Sequence, residues 1–221
     1  MSAWLYPLRQ TPKRYKSSMA RPSLWKLFQN IIKMTISKGQ KFPSGVEFAY
    51  VPIDLDSVSK EDALACSTPL PLSLDKLFEK NKGGNVLFVS VPGAFTPTCT
   101  ANHIPPYLSH LKELKSSKKI TTVVVLSAND PFVNNAWGKL LLQKADLSGD
   151  LPKVVFASDP NAKFSSDNGI SLDLTEKGLG VRTARYAFVV NADTKEVSYF
   201  GSEPGSDVTV SGYEAILDAK L

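Results

Sequence analysis

The fold turns on residues 86–100, Val-Leu-Phe-Val-Ser-Val-Pro-Gly-Ala-Phe-Thr-Pro-Thr-Cys-Thr. The apolar run from Val86 to Val91 predicts a strand buried on both faces. Pro92-Gly93 ends it with a strong turn pair. Thr96 is a good N-cap, and Pro97 suits the first helical position. Cys99 then falls in the first turn of a helix, where free N–H groups and the positive end of the dipole favour an anion. A thiolate is such an anion, so strand, tight turn and helix start together point to a reactive thiol. The competing reading is an inert buried cysteine.

Outward from this stretch the apolar runs keep alternating with helical patterns. Upstream, Glu47–Ile53 predicts a strand. Residues 54–72 read as a polar, proline-containing loop that carries Cys66. A helix follows over Ser73–Lys80, with Leu74, Leu77 and Phe78 at helical spacing, and Gly83-Gly84 ends it. Downstream, the helix opened by Pro97 runs to about Leu114 but meets Pro105-Pro106. Interior prolines remove helical hydrogen bonds, so a kink or break is expected there. Thr121–Leu126 is another buried strand. Asp130-Pro131 opens a helix through Leu142, Val154–Ala157 is a short strand, and Asp159-Pro160 starts a short helix. Residues 169–183 read as Gly-rich and irregular. Arg185–Val190 and Glu196–Phe200 form a hairpin, and 207–220 is expected to be helical. Strands separated by helices predict an α/β fold with helices on both faces of the sheet, and the late hairpin makes that sheet mixed.

The bulk numbers set limits. The 221 residues suffice for one domain with a full core, and 43% hydrophobic with 21% charged residues is ordinary globular composition. No apolar run is long enough to span a membrane. The formal charge of +5 suggests a nucleic-acid or membrane surface, but its distribution argues against both. Residues 1–33 hold seven of the 26 basic residues and none of the 21 acidic ones. The remainder, 34–221, therefore carries 19 basic against 21 acidic residues and a net charge of −2. The basic segment reads as a mitochondrial presequence, with Leu24, Leu27, Phe28 and Ile31 on one face of a helix; an untranslated leader preceding Met34 is the alternative. Two cysteines, Cys66 and Cys99, are too few for a secreted disulfide scaffold.

The remaining candidates for chemistry are few. Thr96 is an N-cap whose hydroxyl also lies where it can hydrogen-bond a substrate oxygen. Cys66, on its exposed loop, is an accidental free thiol or the partner of Cys99, within one chain or between two subunits. Cys99, His103 and His110 fall nominally on one helix face and, with Cys66, suggest a zinc site, but Pro105 and Pro106 interrupt that face and the paired-ligand spacing of structural zinc sites is missing. His103 reads instead as a packing residue or a support for the site. Arg185, heading a buried strand, requires a partner: a surface salt bridge, or an active site whose thiolate and substrate oxygens its guanidinium stabilises. Gly178-Leu-Gly180 lacks the Lys-Ser/Thr ending of a phosphate loop.

These residues also carry a specific resemblance. Pro92-Gly-Ala-Phe-Thr96-Pro-Thr-Cys99 resembles the Pro-x-x-x-Thr-x-x-Cys signature of peroxiredoxins. With His103-Ile-Pro105 following, it is similar to the type 5 group, which includes fungal alkyl hydroperoxide reductases and peroxisomal peroxiredoxins. The segments Asn129–Trp137, Phe156–Pro160, Arg185–Val190 and Pro204–Val210 fit that group in the same order, so the resemblance covers roughly 40–221. It implies a thioredoxin-like fold with a central mixed sheet, and a peroxidase of hydrogen peroxide and alkyl hydroperoxides that needs no cofactor or metal. Cys99 would be the peroxidatic cysteine, Thr96 and Arg185 its activating partners, and Pro92 and Pro97 part of the scaffold around it. Cys66 sits in the loop where fungal members carry a resolving cysteine, which pairs with the peroxidatic one across a homodimer. Thioredoxin, or glutathione with glutaredoxin, would be the reductant. Pro106 departs from the pattern, whose usual residue there is Gly. A peroxide sensor passing its disulfide to a partner protein is the alternative on the same motif. Ala219-Lys220-Leu221 resembles the Ser-Lys-Leu peroxisomal address. The expected locations are therefore the peroxisome, the mitochondrion or, with neither signal in use, the cytosol.

Overall fold

The computed structural model describes residues 36–221. The basic segment 1–33, with its presequence expectation, lies outside them. Seven strands form one mixed sheet in the order β2-β1-β5-β4-β3-β8-β9: β1 Glu47–Tyr50, β2 Leu70–Ser73, β3 Asn85–Ser90, β4 Ile120–Ser127, β5 Lys153–Ser158, β8 Tyr186–Asn191 and β9 Val197–Ser202. β3 pairs in parallel with β4, and β4 with β5; the remaining pairs are antiparallel. The central strands are β3, β4 and β5, and β3 is buried along its whole length. Their uninterrupted Val, Leu and Phe runs follow from being covered on both faces.

Alternation along these strands divides the core in two. Leu87, Val89, Val123, Val125 and Phe156 point to one side. There they meet Ile104 and Leu108 of α2 Ile104–Ser109, Leu111 and Leu114 of α3 Leu111–Lys118, and Trp137 and Leu141 of α4 Pro131–Leu142. Cys99 belongs to this side. Val86, Phe88, Val124 and Phe188 point to the other side, against Leu77 and Phe78 of α1 Leu74–Lys80. That half is built on aromatic stacking, with Phe88 and Phe188 at 4.5 Å and Phe42 against both. α5 Lys163–Asp167 and α6 Tyr213–Asp218 complete the helices.

Three segments differ from the sequence expectation, each for a physical reason. The loop over 54–72 contains a 3-10 turn at Val58–Lys60 and ends in β2. Pro71 argues against a strand, but β2 lies at the sheet edge, where a missing N–H is tolerated. The irregular stretch 169–183 holds a second, two-stranded antiparallel sheet of β6 Ser171–Leu174 and β7 Gly180–Thr183. Only Thr183 of its eight residues is buried, so no apolar alternation marks it. The final helix is only Tyr213–Asp218 rather than 207–220. Residues 209–211 are drawn into a loop by the Glu203 carboxylate. It accepts the backbone N–H groups of Thr209 (2.6 Å) and Ser211 (2.8 Å) and both of their hydroxyls.

Candidate active site

Strand register brings the distant parts of the site together. β3 ends where residue 91 begins the Pro-Gly turn, and Ser90 is paired with Tyr186 of β8. Arg185, one residue before Tyr186, therefore stands at the same end of the sheet as the Cys99 turn. Two side-chain bonds fix this junction: Ser90 Oγ to Ala184 O at 3.0 Å and Thr183 Oγ1 to Val91 O at 2.7 Å.

The turn itself is tightly determined. Asn129 Oδ1 accepts the N–H of Ala94 at 2.9 Å, and the Thr96 hydroxyl donates to Gly93 O at 2.8 Å. Phe95 between them is exposed and held at φ 60, a strained setting for a bulky residue. Helical structure starts at Pro97, as the sequence predicts, and Thr100 N donates to Thr96 O at 2.9 Å. The first turns are not regular. Cys99–His103 form a π-helical segment in which Ile104 N–H reaches back to Cys99 O. Pro105 and Pro106 follow and can offer no N–H to the carbonyls four residues earlier, so the widened turn is the form the predicted kink takes. A second break at His110 separates α2 from α3.

Cys99 is 1% exposed, and its Sγ accepts from Arg185 Nη1 at 3.5 Å. Arg185 is itself buried at 5%, and it forms no carboxylate ion pair among the described residues. The surface salt bridge open to it on sequence alone is not what the structure shows. A buried guanidinium without a carboxylate is costly unless other groups answer its charge. Two do so here: the sulfur of Cys99, and His103 Nδ1 at 3.0 Å from the same Nη1. Arg185 Nε has no partner.

His103 supports the arginine. Its Nε2 lies 2.8 Å from Ser211 O, which only accepts, so Nε2 carries the proton and Nδ1 is free to accept from Arg185. Burial, joined by the nearby arginine charge, lowers its pKa from 6.5 to about 4 against the opposing effect of the hydrogen bond it donates to Ser211 O, so the ring is neutral near pH 7. Tyr107 also donates its hydroxyl to Ser211 O, at 2.6 Å. Burial pushes the Glu203 carboxyl up, but hydrogen bonds from Ser211 and Thr209 outweigh it and leave the group below its usual range. A chain of contacts thus runs from Glu203 through Ser211 and His103 to Arg185 and Cys99.

The other expected residues fall into place unevenly. Thr96 lies three residues before the sulfur and makes no hydrogen bond to it; with its proton committed to Gly93, its oxygen keeps lone pairs to accept with. Pro92 is half-buried in the turn and Pro97 is exposed at the helix start. Cys66 is exposed and both cysteines are free thiols. His110 does not converge on them: it is exposed and stacks on Tyr213 at 4.4 Å. Sequence reasoning missed two groups: Glu203 and Ser211 behind His103, and the donors of the α4 region that face the Cys66 loop. The signal of the second group was available: Asn135, Lys139 and Gln143 stand four residues apart on an otherwise largely apolar helix.

A fixed cation beside a buried sulfur at a helix start stabilises negative charge on that sulfur and on an oxygen bound next to it. The wider comparisons agree with that chemistry. Residues 37–217 match the Redoxin family. A Lipomyces kononenkoae protein provisionally named a peroxisomal peroxiredoxin is 44% identical over 81% of this chain and 98% of its own length. A peroxiredoxin of Penicillium citrinum, Pen c 3, is 37% identical over 77% of this chain and 89% of its own. The crystal structure of reduced Prx3 from Vibrio vulnificus in complex with hydrogen peroxide superposes with a TM-score of 0.64 at 27% identity, covering 83% of this chain and 98% of that one. With its thioredoxin-like sheet, and its Cys99 turn after β3 beside Arg185 at the head of β8, this chain is a peroxiredoxin, a peroxide-reducing enzyme of the Redoxin family.

Proposed function

We propose that the chain reduces hydrogen peroxide and alkyl hydroperoxides by a two-cysteine cycle, with Cys99 as the attacking thiolate and Cys66 as the resolving thiol. The observation that carries this reading is the buried Arg185 guanidinium 3.5 Å from Cys99 Sγ with no carboxylate of its own. The Cys99 thiolate attacks one peroxide oxygen; an S–O bond forms, the O–O bond breaks, and the departing alkoxide or hydroxide takes a proton. Arg185 Nη1 and the free N–H groups of the helix start stabilise the charge moving onto the oxygens, and Thr96 Oγ1 accepts from the peroxide O–H. Pro92 and Pro97 frame the turn. The product is a Cys99 sulfenic acid.

The Cys66 thiolate then attacks the Cys99 sulfur, forming the disulfide and releasing water. Cys99 is buried and Cys66 exposed, so this step requires the Cys99 turn to open. The hydrogen bonds missing at Pro105 and Pro106 lower that cost. In our reading the disulfide joins two subunits of a homodimer. A dithiol protein such as thioredoxin, or glutathione with glutaredoxin, returns both sulfurs to thiols by exchange. The role is antioxidant defence. Its proposed site is the peroxisome, as in the name of the Lipomyces relative, with Lys220 and Leu221 exposed beyond α6; the basic N-terminal segment supports a mitochondrial form.

The test is substitution at each sulfur. Cys99→Ser loses peroxide consumption, and retained turnover refutes the assignment. Cys66→Ser is oxidised once and then fails to recycle with a thioredoxin system. On a non-reducing gel, oxidised wild-type protein runs as a linked dimer; a monomeric disulfide contradicts the intersubunit bond, and peroxide turnover without any disulfide contradicts the resolving role.

A further inference from the structure

Helix α4 and its C-cap residue Gln143 carry a row of polar side chains that the chemistry at Cys99 does not use. Asn135, Lys139 and Gln143 are spaced four residues apart and so share one face. All three donate to backbone carbonyls of a single segment, 51–65. Asn135 Nδ2 reaches Val51 O at 3.3 Å. Gln143 Nε2 reaches Val58 O at 3.0 Å and Glu61 O at 2.7 Å. Lys139 Nζ reaches Asp62 O at 3.4 Å and Ala65 O at 2.8 Å, and it pairs with Glu61 Oε2 at 2.9 Å. The three N–H bonds of this ammonium are thus all used. Its side chain is 7% exposed, which is rare for lysine and costly unless the partners are fixed. Glu61 is held in turn by the Ser57 hydroxyl at 2.7 Å, and the lysine bond keeps its carboxyl below the usual range.

The last anchored carbonyl belongs to Ala65, the residue before Cys66. The next fixed point is Leu70, paired with Tyr50 in the sheet. Cys66 therefore sits one residue beyond a buried clamp, in a four-residue span between two anchors, and its thiol is confined to a small volume at the surface.

We propose that Lys139, flanked by Asn135 and Gln143, is a positioning residue for the second half of the cycle: it holds the 61–65 segment so that Cys66 is presented to the oxidised Cys99. This rests on Cys66 being the resolving thiol. Confining a nucleophile raises its effective concentration, so loosening the clamp slows disulfide formation without touching the peroxide step.

The test uses Lys139→Met, which keeps the aliphatic stem and removes the ammonium, in the full chain, with circular dichroism to confirm folding. Reduced protein receives a pulse of hydrogen peroxide and is quenched by alkylation at increasing times. The expected result is a Cys99 oxidation rate within about twofold of wild type and disulfide formation slowed by about tenfold or more. Lys139→Arg, which retains a charged multiple donor, recovers most of the loss. Disulfide formation at the wild-type rate in Lys139→Met overturns the proposal. Two controls separate the layers. A disulfide that still forms in Cys66→Ser overturns the resolving role itself. Amide hydrogen exchange over 61–66 rises in Lys139→Met if the clamp is real, whichever thiol resolves, and unchanged exchange overturns the clamp.

Discussion

The two cysteines are held in opposite ways. Cys99 is enclosed, and its partner is a charge: a buried guanidinium supported by His103, Ser211 and Glu203. Cys66 is in solvent, and what surrounds it is tethered backbone, its loop bound through carbonyl oxygens to donors on α4. The first arrangement fixes electrostatics at a reacting atom. The second fixes position and leaves the thiol open. The contrast matches the two half-reactions proposed here, since peroxide attack needs charge stabilised on small oxygens, whereas resolution needs a second sulfur delivered from elsewhere.

The comparison breaks most visibly at Arg185. Arg185→Met removes the cation and leaves the helix start alone to stabilise charge; the second-order rate of Cys99 oxidation, followed by stopped flow, should fall by about a hundredfold or more. Arg185→Lys should fall in between, because the charge is kept but the shorter, flexible lysine stem lacks the planar fork that places Nη1 between the sulfur and His103 Nδ1. Loss of rate within about twofold for Arg185→Met would erase the distinction between the two thiols.

His103 sharpens the contrast with a smaller effect. His103→Leu leaves Arg185 without its imidazole acceptor, and peroxide attack should slow by about tenfold while disulfide formation from the sulfenic acid is unaffected. The same residue sets a pH dependence of stability. The folded-state pKa is lowered to about 4 from 6.5, so below pH 6.5 the unfolded chain takes up a proton that the native site refuses. Stability therefore declines as pH falls from 6.5 to 4, by up to about 3 kcal/mol from this group. Denaturant midpoints across that range should slope less steeply in His103→Leu than in wild type. Equal slopes would mean that the ring is not buried as a neutral acceptor.

Much of this was legible in the sequence, and the limits have physical causes. The central strands were legible because burial on both faces leaves an unbroken apolar run from Val86 to Val89. The Cys99 helix start was legible because Thr96, Pro97 and the preceding turn are local chemistry. The resemblance singled out Arg185 as a site residue, but the charge alone could not say whether it faced water or sulfur. That is settled by the register of β8 on β3, which pairs Ser90 with Tyr186 and so brings Arg185 to Cys99, 86 positions away in sequence. The β6–β7 hairpin was illegible because it buries only Thr183 and so carries no apolar alternation, and β2 because Pro71 masks an edge strand. The overlong C-terminal helix followed from reading 207–212 by pattern, when the Glu203 carboxylate had already claimed the backbone of Thr209 and Ser211. The α4 stripe was present as a four-residue spacing, yet its target loop lies more than 70 positions away in sequence.

The central claim is that peroxide oxidises Cys99 and not the exposed thiol, although Cys66 is far easier to reach. One equivalent of hydrogen peroxide added to the reduced Cys66→Ser and Cys99→Ser proteins, each followed by peptide mass spectrometry after trapping of sulfenic acid, separates charge from access. The account predicts rapid addition of one oxygen at Cys99 in the first protein and no comparable oxidation of Cys66 in the second. Rapid oxidation of Cys66 with Cys99 left reduced would contradict it.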